Sequence, residues 1–369
     1  MSNMLTLYQY GQSMWLDYID RDLLVNGGLA RLVEEGLRGV TSNPTIFHKA
    51  ITGGHQYDDA IRDLLQADPQ MDAETLYEWL AIQDVQWAAD ILRPVYENSN
   101  GTDGFVSLEV SPHLAGDTAG TVEGVHHLWR AVDRPNLMIK VPGTREGLPA
   151  IERLIGEGIN INVTLLFSVA RYEEVVGAYV SGLGRHPDPA RVTSVASFFV
   201  SRIDGKVDLM LDRAGTPEAR RLKGRAAIAN AKMAYQRFRA LTRSEAFRDQ
   251  VARGARVQRL LWGSTSTKNR DYSDLLYVDG LIGADTVNTV PPQTLDAFQD
   301  HGTVALTLER DVEQARRDQE DLAALGIDLD AVTRELEEEG VAAFAESHDK
   351  LLAALEEKRV AVTRDYAGA

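Results

Sequence analysis

The 369-residue sequence contains no cysteine. Disulfides, zinc–thiolate sites, iron–sulfur clusters and a cysteine nucleophile are therefore excluded. No apolar run approaches the roughly 18 residues that a membrane helix needs, and no basic start followed by an apolar stretch indicates a signal peptide. A phosphate-binding GxxxxGK[ST] loop, a GxGxxG after a strand and an HExxH motif are also missing. We therefore expect a cytoplasmic protein with no membrane partner.

The charge balance narrows the range of partners. The formal net charge is -16, with 44% hydrophobic and 25% charged residues, which is typical of a soluble globular protein. Such an acidic chain is a poor general ligand for a nucleic-acid backbone or an anionic membrane, so neither is expected as a partner. A phosphorylated substrate would need a local basic pocket. The eight histidines show no regular ligand spacing, so no metal site is predicted.

Short apolar runs alternate with segments of helical periodicity along most of the chain. The runs carry apolar residues on both faces, which is typical of parallel strands covered by helices. Eight such strands separated by helices predict an α/β fold, a (β/α)8 TIM barrel, with an open eight-stranded sheet as the alternative. The predicted strands are Ser13–Ile19, Gly39–Asn43, Gly104–Val110, Leu137–Val141, Asn160–Leu166, Arg191–Val200, Arg259–Ser264 and Asp285–Val290.

The end of the chain differs from the rest. Residues 305–369 hold 17 acidic and 8 basic residues, have helical periodicity and contain no strand candidate. We predict that residues 1–304 form the barrel and that residues 305–369 add two or three helices packed on it. Because no flexible linker separates the two parts, we assign both to the same domain.

Three charged residues stand near the ends of otherwise apolar strands: Asp17, Glu109 and Lys140. The carboxyl ends of parallel barrel strands meet on one face, where active sites form. A lysine stem lying along apolar surface is the alternative for Lys140 alone. Burial disfavours the charged form of an amine, and a neutral amine attacks carbonyls to form a Schiff base. Carboxylates beside it could move the protons of that reaction.

Uncharged polar residues occupy similar places. Asn43 ends the second strand before a proline, which indicates either a turn or a site residue. Asn162 and Thr164 point to one face of the fifth strand by alternation. They suit a sugar or an ordered water, and a hydrogen-bonded core pair is the alternative.

Basic and hydroxyl residues follow the sixth and seventh strands. Arg202 comes just after the sixth, whereas Ser264 and Lys268 lie at and beyond the end of the seventh. Arginine binds phosphate through its planar fork, and the loops after late barrel strands often hold phosphate. A salt bridge between Arg202 and nearby Asp204 is the alternative.

Together, these segments resemble the transaldolases, in particular a longer bacterial subfamily. The resemblance covers nearly the whole chain. It is carried by GVTSNPTIF, FVSLEVSP, MIKVPGT, GININVTLLFS, SFFVSRID, LLWGSTSTKN and NTVPPQTLDAF, and by the acidic C-terminal helices. It implies a Schiff-base barrel enzyme of the non-oxidative pentose phosphate pathway that requires no cofactor. Sugar phosphates would be its substrates.

The resemblance also implies a role for each matching residue. Lys140 corresponds to the Schiff-base nucleophile and Asp17 to the acid/base acting on the C4 hydroxyl. Glu109 and Thr164 correspond to the pair that holds a water for proton transfer. The residues that correspond to substrate-binding groups are Asn43, Asn162, Ser197, Phe199 and Arg202. Where the family has an arginine near the end of the seventh strand, this chain has Ser264, Ser266 and Lys268, so the second phosphate ligand is open.

The implied reaction moves a dihydroxyacetone unit from sedoheptulose 7-phosphate to glyceraldehyde 3-phosphate, giving erythrose 4-phosphate and fructose 6-phosphate. The nearest alternative is a fructose 6-phosphate aldolase, a lyase that releases free dihydroxyacetone. A non-catalytic barrel that serves as a scaffold or binding protein is another. A metal-dependent aldolase is disfavoured because no histidine-rich ligand set is visible. The sequence leaves open whether the protein is a homodimer or a monomer.

Overall fold

Eight parallel strands close into a barrel within residues 2–367, the part of the chain that the computed structural model describes. Side-chain environments are described up to residue 362. The closed order β1 to β8 confirms the predicted TIM barrel and shows that the open-sheet alternative is wrong. The strands are β1 (Gln12–Leu16), β2 (Gly39–Thr41), β3 (Phe105–Glu109), β4 (Leu137–Pro142), β5 (Ile161–Leu166), β6 (Ser194–Phe199), β7 (Arg259–Gly263) and β8 (Thr286–Val290).

Helices surround the barrel and cover its outer face. Two short 3₁₀ turns lie at Pro112–Leu114 and Pro189–Arg191. The α-helices are α1 (Asn3–Gln9), α2 (Arg21–Val25), α3 (Gly28–Glu34), α4 (Pro44–Thr52), α5 (Asp58–Ala67), α6 (Ala73–Asn98), α7 (Thr118–Val132), α8 (Gly147–Gly156), α9 (Val169–Arg185), α10 (Ser201–Ala214), α11 (Pro217–Leu222), α12 (Ala226–Leu241), α13 (Glu245–Ala252), α14 (Leu276–Gly280), α15 (Pro292–His301), α16 (Val312–Ala324) and α17 (Leu329–Ala367).

Two helical segments are divided more finely than their periodicity indicates. The segment 218–253 has helical periodicity throughout, yet it holds α12, α13 and all of α11 except its first residue. The segment 22–35 is interrupted between α2 and α3, where Gly27 adopts a left-handed φ of 72°. Glycine reaches this conformation without a Cβ penalty, so it ends one helix and starts the next in a new direction. None of the described helices combines the length and apolar character needed to cross a bilayer.

The acidic C-terminal segment forms two helices in the described residues, as predicted. The longer one, α17, packs against α4, α6 and α10 and also against β5. Its buried residues Leu351 and Leu355 belong to the main hydrophobic core of the molecule. The C-terminal helices therefore pack on the barrel; that residues 305–369 share a domain with residues 1–304 stays a prediction.

The interior of the barrel contains an apolar layer that is separate from the main core. Gly39 belongs to this layer by strand alternation, and a Cβ there would lie 2.5 Å from the indole of Trp15. Only glycine therefore leaves room for the tryptophan to fill the barrel. The side chains that make up the layer are Trp15, Phe105, Met138, Val195, Leu261 and Val287.

A buried ion pair closes the amino-terminal end of the barrel. Arg259 donates to Asp103 Oδ1 at 2.9 Å and to Ser13 Oγ at 2.9 Å. Ser13 in turn donates to Asp103 Oδ2 at 2.6 Å. Because the charges and the hydroxyl satisfy one another, this end of the barrel is a closed structural unit.

The helix α10 begins just after β6, and the buried carboxylate of Asp204 fixes its first turn. The amide of Ala227 donates to its Oδ1 at 2.8 Å, and the Tyr277 hydroxyl donates to its Oδ2 at 3.0 Å. Burial raises the pKa of Asp204 from its ordinary 3.8 to about 7. The group thus joins α10 to α12 and α14 at the cost of holding a carboxyl away from water.

Asp204→Asn should change how stability depends on pH. The folded protein holds a proton on Asp204 up to about pH 7, whereas the unfolded chain releases it near pH 4, so this group lowers the free energy of unfolding as pH rises between those values. Urea unfolding at several pH values measures this effect. Across that window, the free energy of unfolding of the variant should rise relative to that of the wild type by on the order of 1 kcal/mol or more. Asp212→Asn, at an exposed position of the same helix, is the control. A wild-type-to-variant difference that stays constant with pH would contradict the raised pKa.

Candidate active site

Lys140 and Glu109 form a buried ion pair inside the carboxyl end of the barrel. They lie side by side on β4 and β3, because the strand register pairs Glu109 with Lys140. Lys140 Nζ donates to Glu109 Oε2 at 3.2 Å and to the carbonyl oxygen of Ser42 at 3.2 Å. Both side chains are almost fully buried, at 6% and 2% exposure. The lysine therefore points into the site and does not lie along the outer surface.

The electrostatics of this pair follow from burial. Removal from water raises the pKa of the Glu109 carboxyl, the Lys140 ammonium opposes that shift, and Asp17 adds to it. The second carboxylate oxygen, Oε1, has no hydrogen-bond partner among the described residues. One carboxylate oxygen of Glu109 thus accepts from the Lys140 amine, and the other is free to bind a water. This arrangement is suited to passing protons between the water and the amine.

Asp17 comes directly after β1 and faces the same cavity. Its Oδ1 accepts a hydrogen bond from the Thr41 hydroxyl at 2.7 Å, and Thr41 is itself 2.7 Å from the Thr289 hydroxyl. Burial raises the pKa of Asp17, while Lys140, the bond from Thr41 and Lys268 lower it. Two carboxyls with raised pKa values therefore flank one lysine, which is a frequent arrangement at catalytic sites.

Polar residues of β5 and β6 continue this layer. Asn162 donates to Ser107 Oγ at 3.0 Å and accepts from Ser197 Oγ at 2.6 Å. Its partners are these two serines and not Thr164, so the predicted alternative of a bonded core pair is not observed. Thr164 is fully buried, and its hydroxyl has no partner within the described chain. Ser197 and Thr164 line the cavity, whereas Asn162 supports Ser197 from inside the barrel.

Aromatic side chains cover the lysine. Phe199, at the end of β6, packs edge-to-face on Phe167 with ring centroids 5.3 Å apart. Phe344 approaches from α17, with its ring 6.4 Å from Phe199 and its centroid 5.8 Å from Lys140 Nζ. The C-terminal helices therefore supply a wall of the site. Sequence reasoning found Phe199 but missed Phe344, since no pattern in a solvated acidic helix indicates which residue reaches the barrel.

The cavity above Lys140 has a volume of about 590 Å³, and three further cationic side chains line it. Arg202 and Lys268 were expected there. Lys49 of α4 also lines it and was not predicted, because its segment shows only an ordinary amphipathic pattern. Within the described residues, none of the three is paired with a carboxylate within 4.0 Å. A locally cationic pocket thus exists inside an acidic protein, as an anionic ligand requires.

Arg202 lines the cavity beside Phe199. Its guanidinium carbon lies 5.6 Å from the centre of the Phe199 ring. The alternative pairing with Asp204 is not observed, because that carboxylate is used by Ala227 and Tyr277. Burial lowers the pKa of Arg202, and Glu339 of α17 opposes the shift. The planar fork therefore remains free to bind an anion.

The remaining predicted residues also line the cavity, and two of them shape the backbone. Asn43 caps α4, since its Oδ1 accepts from the amide of Ile46 at 3.0 Å, so the turn interpretation is correct alongside its place in the site. Ser264 adopts a left-handed φ of 53° and contacts Ser201 through hydroxyls 3.0 Å apart. Lys268 donates to Ser266 Oγ at 2.7 Å. The loop after β7 therefore lines the cavity with the hydroxyl residues Ser264 and Ser266 and with the cation of Lys268.

Sequence comparison with known proteins agrees with this geometry. A model of the family "Transaldolase/Fructose-6-phosphate aldolase" matches residues 14–355. The chain belongs to that family. A transaldolase of Thiobacillus denitrificans is 50% identical over 331 residues, covering 88% of this chain and 92% of the relative. Transaldolase 2 of Nostoc punctiforme is 46% identical over 351 residues, 91% and 92% of the two chains. A transaldolase of Mycobacterium tuberculosis is 45% identical over 334 residues, 89% of each.

Membership of the transaldolase/fructose-6-phosphate aldolase family confirms the resemblance found in the motifs, and the relatives support an enzyme of the transaldolase type. The matched range begins at Met14 in β1 and ends at Leu355 in α17, so it includes Phe344 as well as the strands. The C-terminal helices are therefore part of what this family shares.

Proposed function

We propose that the protein is a transaldolase that transfers a dihydroxyacetone unit from sedoheptulose 7-phosphate to glyceraldehyde 3-phosphate through an imine at Lys140. The observation that carries the proposal is the buried contact of 3.2 Å between Lys140 Nζ and Glu109 Oε2 beneath a cationic cavity. An amine, a proton carrier and anion-binding groups are the parts that such a transfer needs. The family and its transaldolase relatives agree with the assignment.

The first stage forms the imine. The neutral Lys140 amine attacks the ketone carbon of the donor, giving a carbinolamine that loses water. Glu109, with its unused Oε1, would protonate the departing hydroxyl through a water held between it and Thr164, whose hydroxyl is also unpartnered. The same groups run in reverse at the end, when water releases the product.

The second stage breaks the C3–C4 bond. Asp17 would take the proton of the C4 hydroxyl as that carbon becomes an aldehyde, and the bonding electrons move into the protonated imine to give an enamine. Erythrose 4-phosphate then leaves the site, the acceptor aldehyde binds in its place and adds to the enamine carbon, and Asp17 returns the proton to the new hydroxyl. The imine nitrogen is the electron sink, so the chemistry needs neither a metal nor an organic cofactor.

The substrate phosphate would bind at the rim. Arg202 offers a planar fork held by Phe199, while Lys49 and Lys268 add mobile charge beside the hydroxyls of Ser264 and Ser266. Phe344 of α17 would exclude water from the imine once the substrate is bound.

An assay with purified protein tests the function. Sedoheptulose 7-phosphate and glyceraldehyde 3-phosphate should yield fructose 6-phosphate and erythrose 4-phosphate. Borohydride added with fructose 6-phosphate should leave one adduct, mapped to Lys140 by mass spectrometry, and Lys140→Met should abolish both adduct and turnover. Lys49→Met, which removes another lysine of the same cavity, is the matched control and should still form the Lys140 adduct. Accumulation of free dihydroxyacetone without an acceptor would favour the lyase, and an adduct confined to another lysine would refute the mechanism.

The two carboxyls should have separable roles. Asp17→Asn should slow carbon–carbon cleavage more than imine formation, so that the imine accumulates when donor is added. Glu109→Gln should instead slow the formation and hydrolysis of the imine, because an amide cannot exchange protons with the water. Loss of a positioned acid or base typically costs about 10²- to 10⁴-fold in rate. Single-turnover kinetics with borohydride quenching measure both steps; identical step rates in the two variants would contradict the division.

Arg202→Ala should raise KM for phosphorylated sugars. A hydrogen bond to a charged group contributes about 1.5–3 kcal/mol, so the loss corresponds to roughly 10- to 150-fold in KM. Lys268→Ala should have a smaller effect, because an exposed lysine lacks the bidentate fork. The test of phosphate binding by Arg202 is to compare the KM for fructose 6-phosphate with the KM for unphosphorylated fructose. If Arg202→Ala leaves that preference unchanged, the phosphate binds elsewhere.

A further inference from the structure

Two histidines and an aspartate meet outside the active site, where the C-terminal helix crosses the barrel rim. His113 lies in the 3₁₀ turn Pro112–Leu114, four residues after Glu109, and His348 and Asp349 lie on α17. One ligand atom from each of the three residues falls within 4.8 Å of the others. His113 Nε2 is 2.8 Å from Asp349 Oδ1, and the two imidazole rings meet edge to face at 5.7 Å.

His348 is the member of this cluster that ordinary packing leaves unexplained. It is only 4% exposed, and its Nδ1 has no hydrogen-bond partner in the described part of the chain. A buried polar nitrogen without a partner is costly unless something binds it. The ring stands edge-on to Tyr77 at 5.7 Å, and Glu74 lines the same small cavity. The position thus combines a nitrogen ligand, nearby carboxylates and access from solvent.

We propose that His113, His348 and Asp349 bind a divalent transition-metal ion of the zinc class. Imidazole and carboxylate ligands suit Zn²⁺ and Ni²⁺, whereas Mg²⁺ and Ca²⁺ prefer all-oxygen sites. Ligand bonds of about 2.0–2.1 Å place tetrahedral ligands about 3.3 Å apart, so side-chain rotations of about an ångström complete the site. Three protein ligands leave a fourth position for water or for Glu74.

The ion would connect parts of the chain that are far apart in sequence. One ligand comes from the turn that follows the Glu109 strand, and two come from α17, one helical turn beyond Phe344. A bound metal would therefore fasten α17 against the rim of the barrel. Glu109 also lines the small cavity at His348, but none of the three proposed ligands is a group of the imine chemistry. This proposal and the proposed function can therefore fail independently.

Titration of the EDTA-dialysed full-length protein with ZnCl₂ tests the site. Calorimetry should find about one Zn²⁺ bound per chain, a raised Tm and slower amide exchange in residues 341–352, with no such effects from MgCl₂. Removal of a group that only orients a ligand typically costs about 10- to 100-fold in metal affinity, so His113→Ala should weaken Zn²⁺ binding by at least as much. His348→Phe, which keeps the ring packed on Tyr77, should do the same.

His55→Ala is the matched control, because His55 also pairs with an aspartate, Asp58, but belongs to no group of three possible metal ligands among the described residues. It should bind Zn²⁺ like the wild type. If His348→Phe does not fold, the exposed changes His113→Ala and Asp349→Asn decide alone. Unchanged Zn²⁺ affinity in these variants, or no Zn²⁺ binding by the wild type, would overturn the proposal. Turnover should be the same with and without Zn²⁺; a metal-dependent kcat would overturn the separation from the active site.

Discussion

The burial of one amine beside one carboxylate, on top of an apolar layer, is the constraint on which the site depends. Trp15 and Met138 fill the barrel two residues before Asp17 and Lys140 on their strands, so the alternation that turns the apolar residues inward also turns the charged ones inward. Once there, each charge is stabilised mainly by the others. Lys140 opposes the rise in the pKa of both Asp17 and Glu109, and the carbonyl of Ser42 accepts from the amine. A change at any one of them therefore alters the protonation of its neighbours.

The charged groups at the two ends of the barrel differ in how fully they are hydrogen bonded. At the amino-terminal end, Arg259, Asp103 and Ser13 satisfy one another and leave little capacity to bind anything else. At the carboxyl end, Thr164 Oγ1 and Glu109 Oε1 are left without partners. Unsatisfied buried groups cost stability, so these two beside Lys140 indicate a place where a ligand or a water completes the hydrogen bonding.

Strand periodicity predicted the barrel well because the strands are buried on both faces and carry their apolar pattern within three to six residues. Asp17, Glu109 and Lys140 were singled out because a charge at the end of an apolar run is conspicuous, and Arg202 because it follows the sixth strand. The structure brings Asp17, Lys140 and Arg202 to one cavity, and their roles stay predictions. Phe344 and Lys49 were missed, because their importance arises only when α17 and α4 meet strands hundreds or tens of residues away. The cluster of His113 and His348 was missed for the same reason: its spacing exists in space and not along the chain. The left-handed backbone of Ser264 has no clear sequence signal, because serine rarely adopts it.

The protein has a net charge of -16, yet Lys49, Arg202 and Lys268 line its pocket. This contrast favours small anions over long polyanions. At physiological ionic strength, charges are screened over about 8 Å, so the cations that line the pocket act mainly on what enters it. A small dianion that enters the mouth experiences mainly the three cations. A long polyanion must lie across the acidic exterior, including α17, and is repelled along most of its length. The local field of the pocket therefore favours a small anion such as a sugar phosphate, although the protein as a whole is acidic.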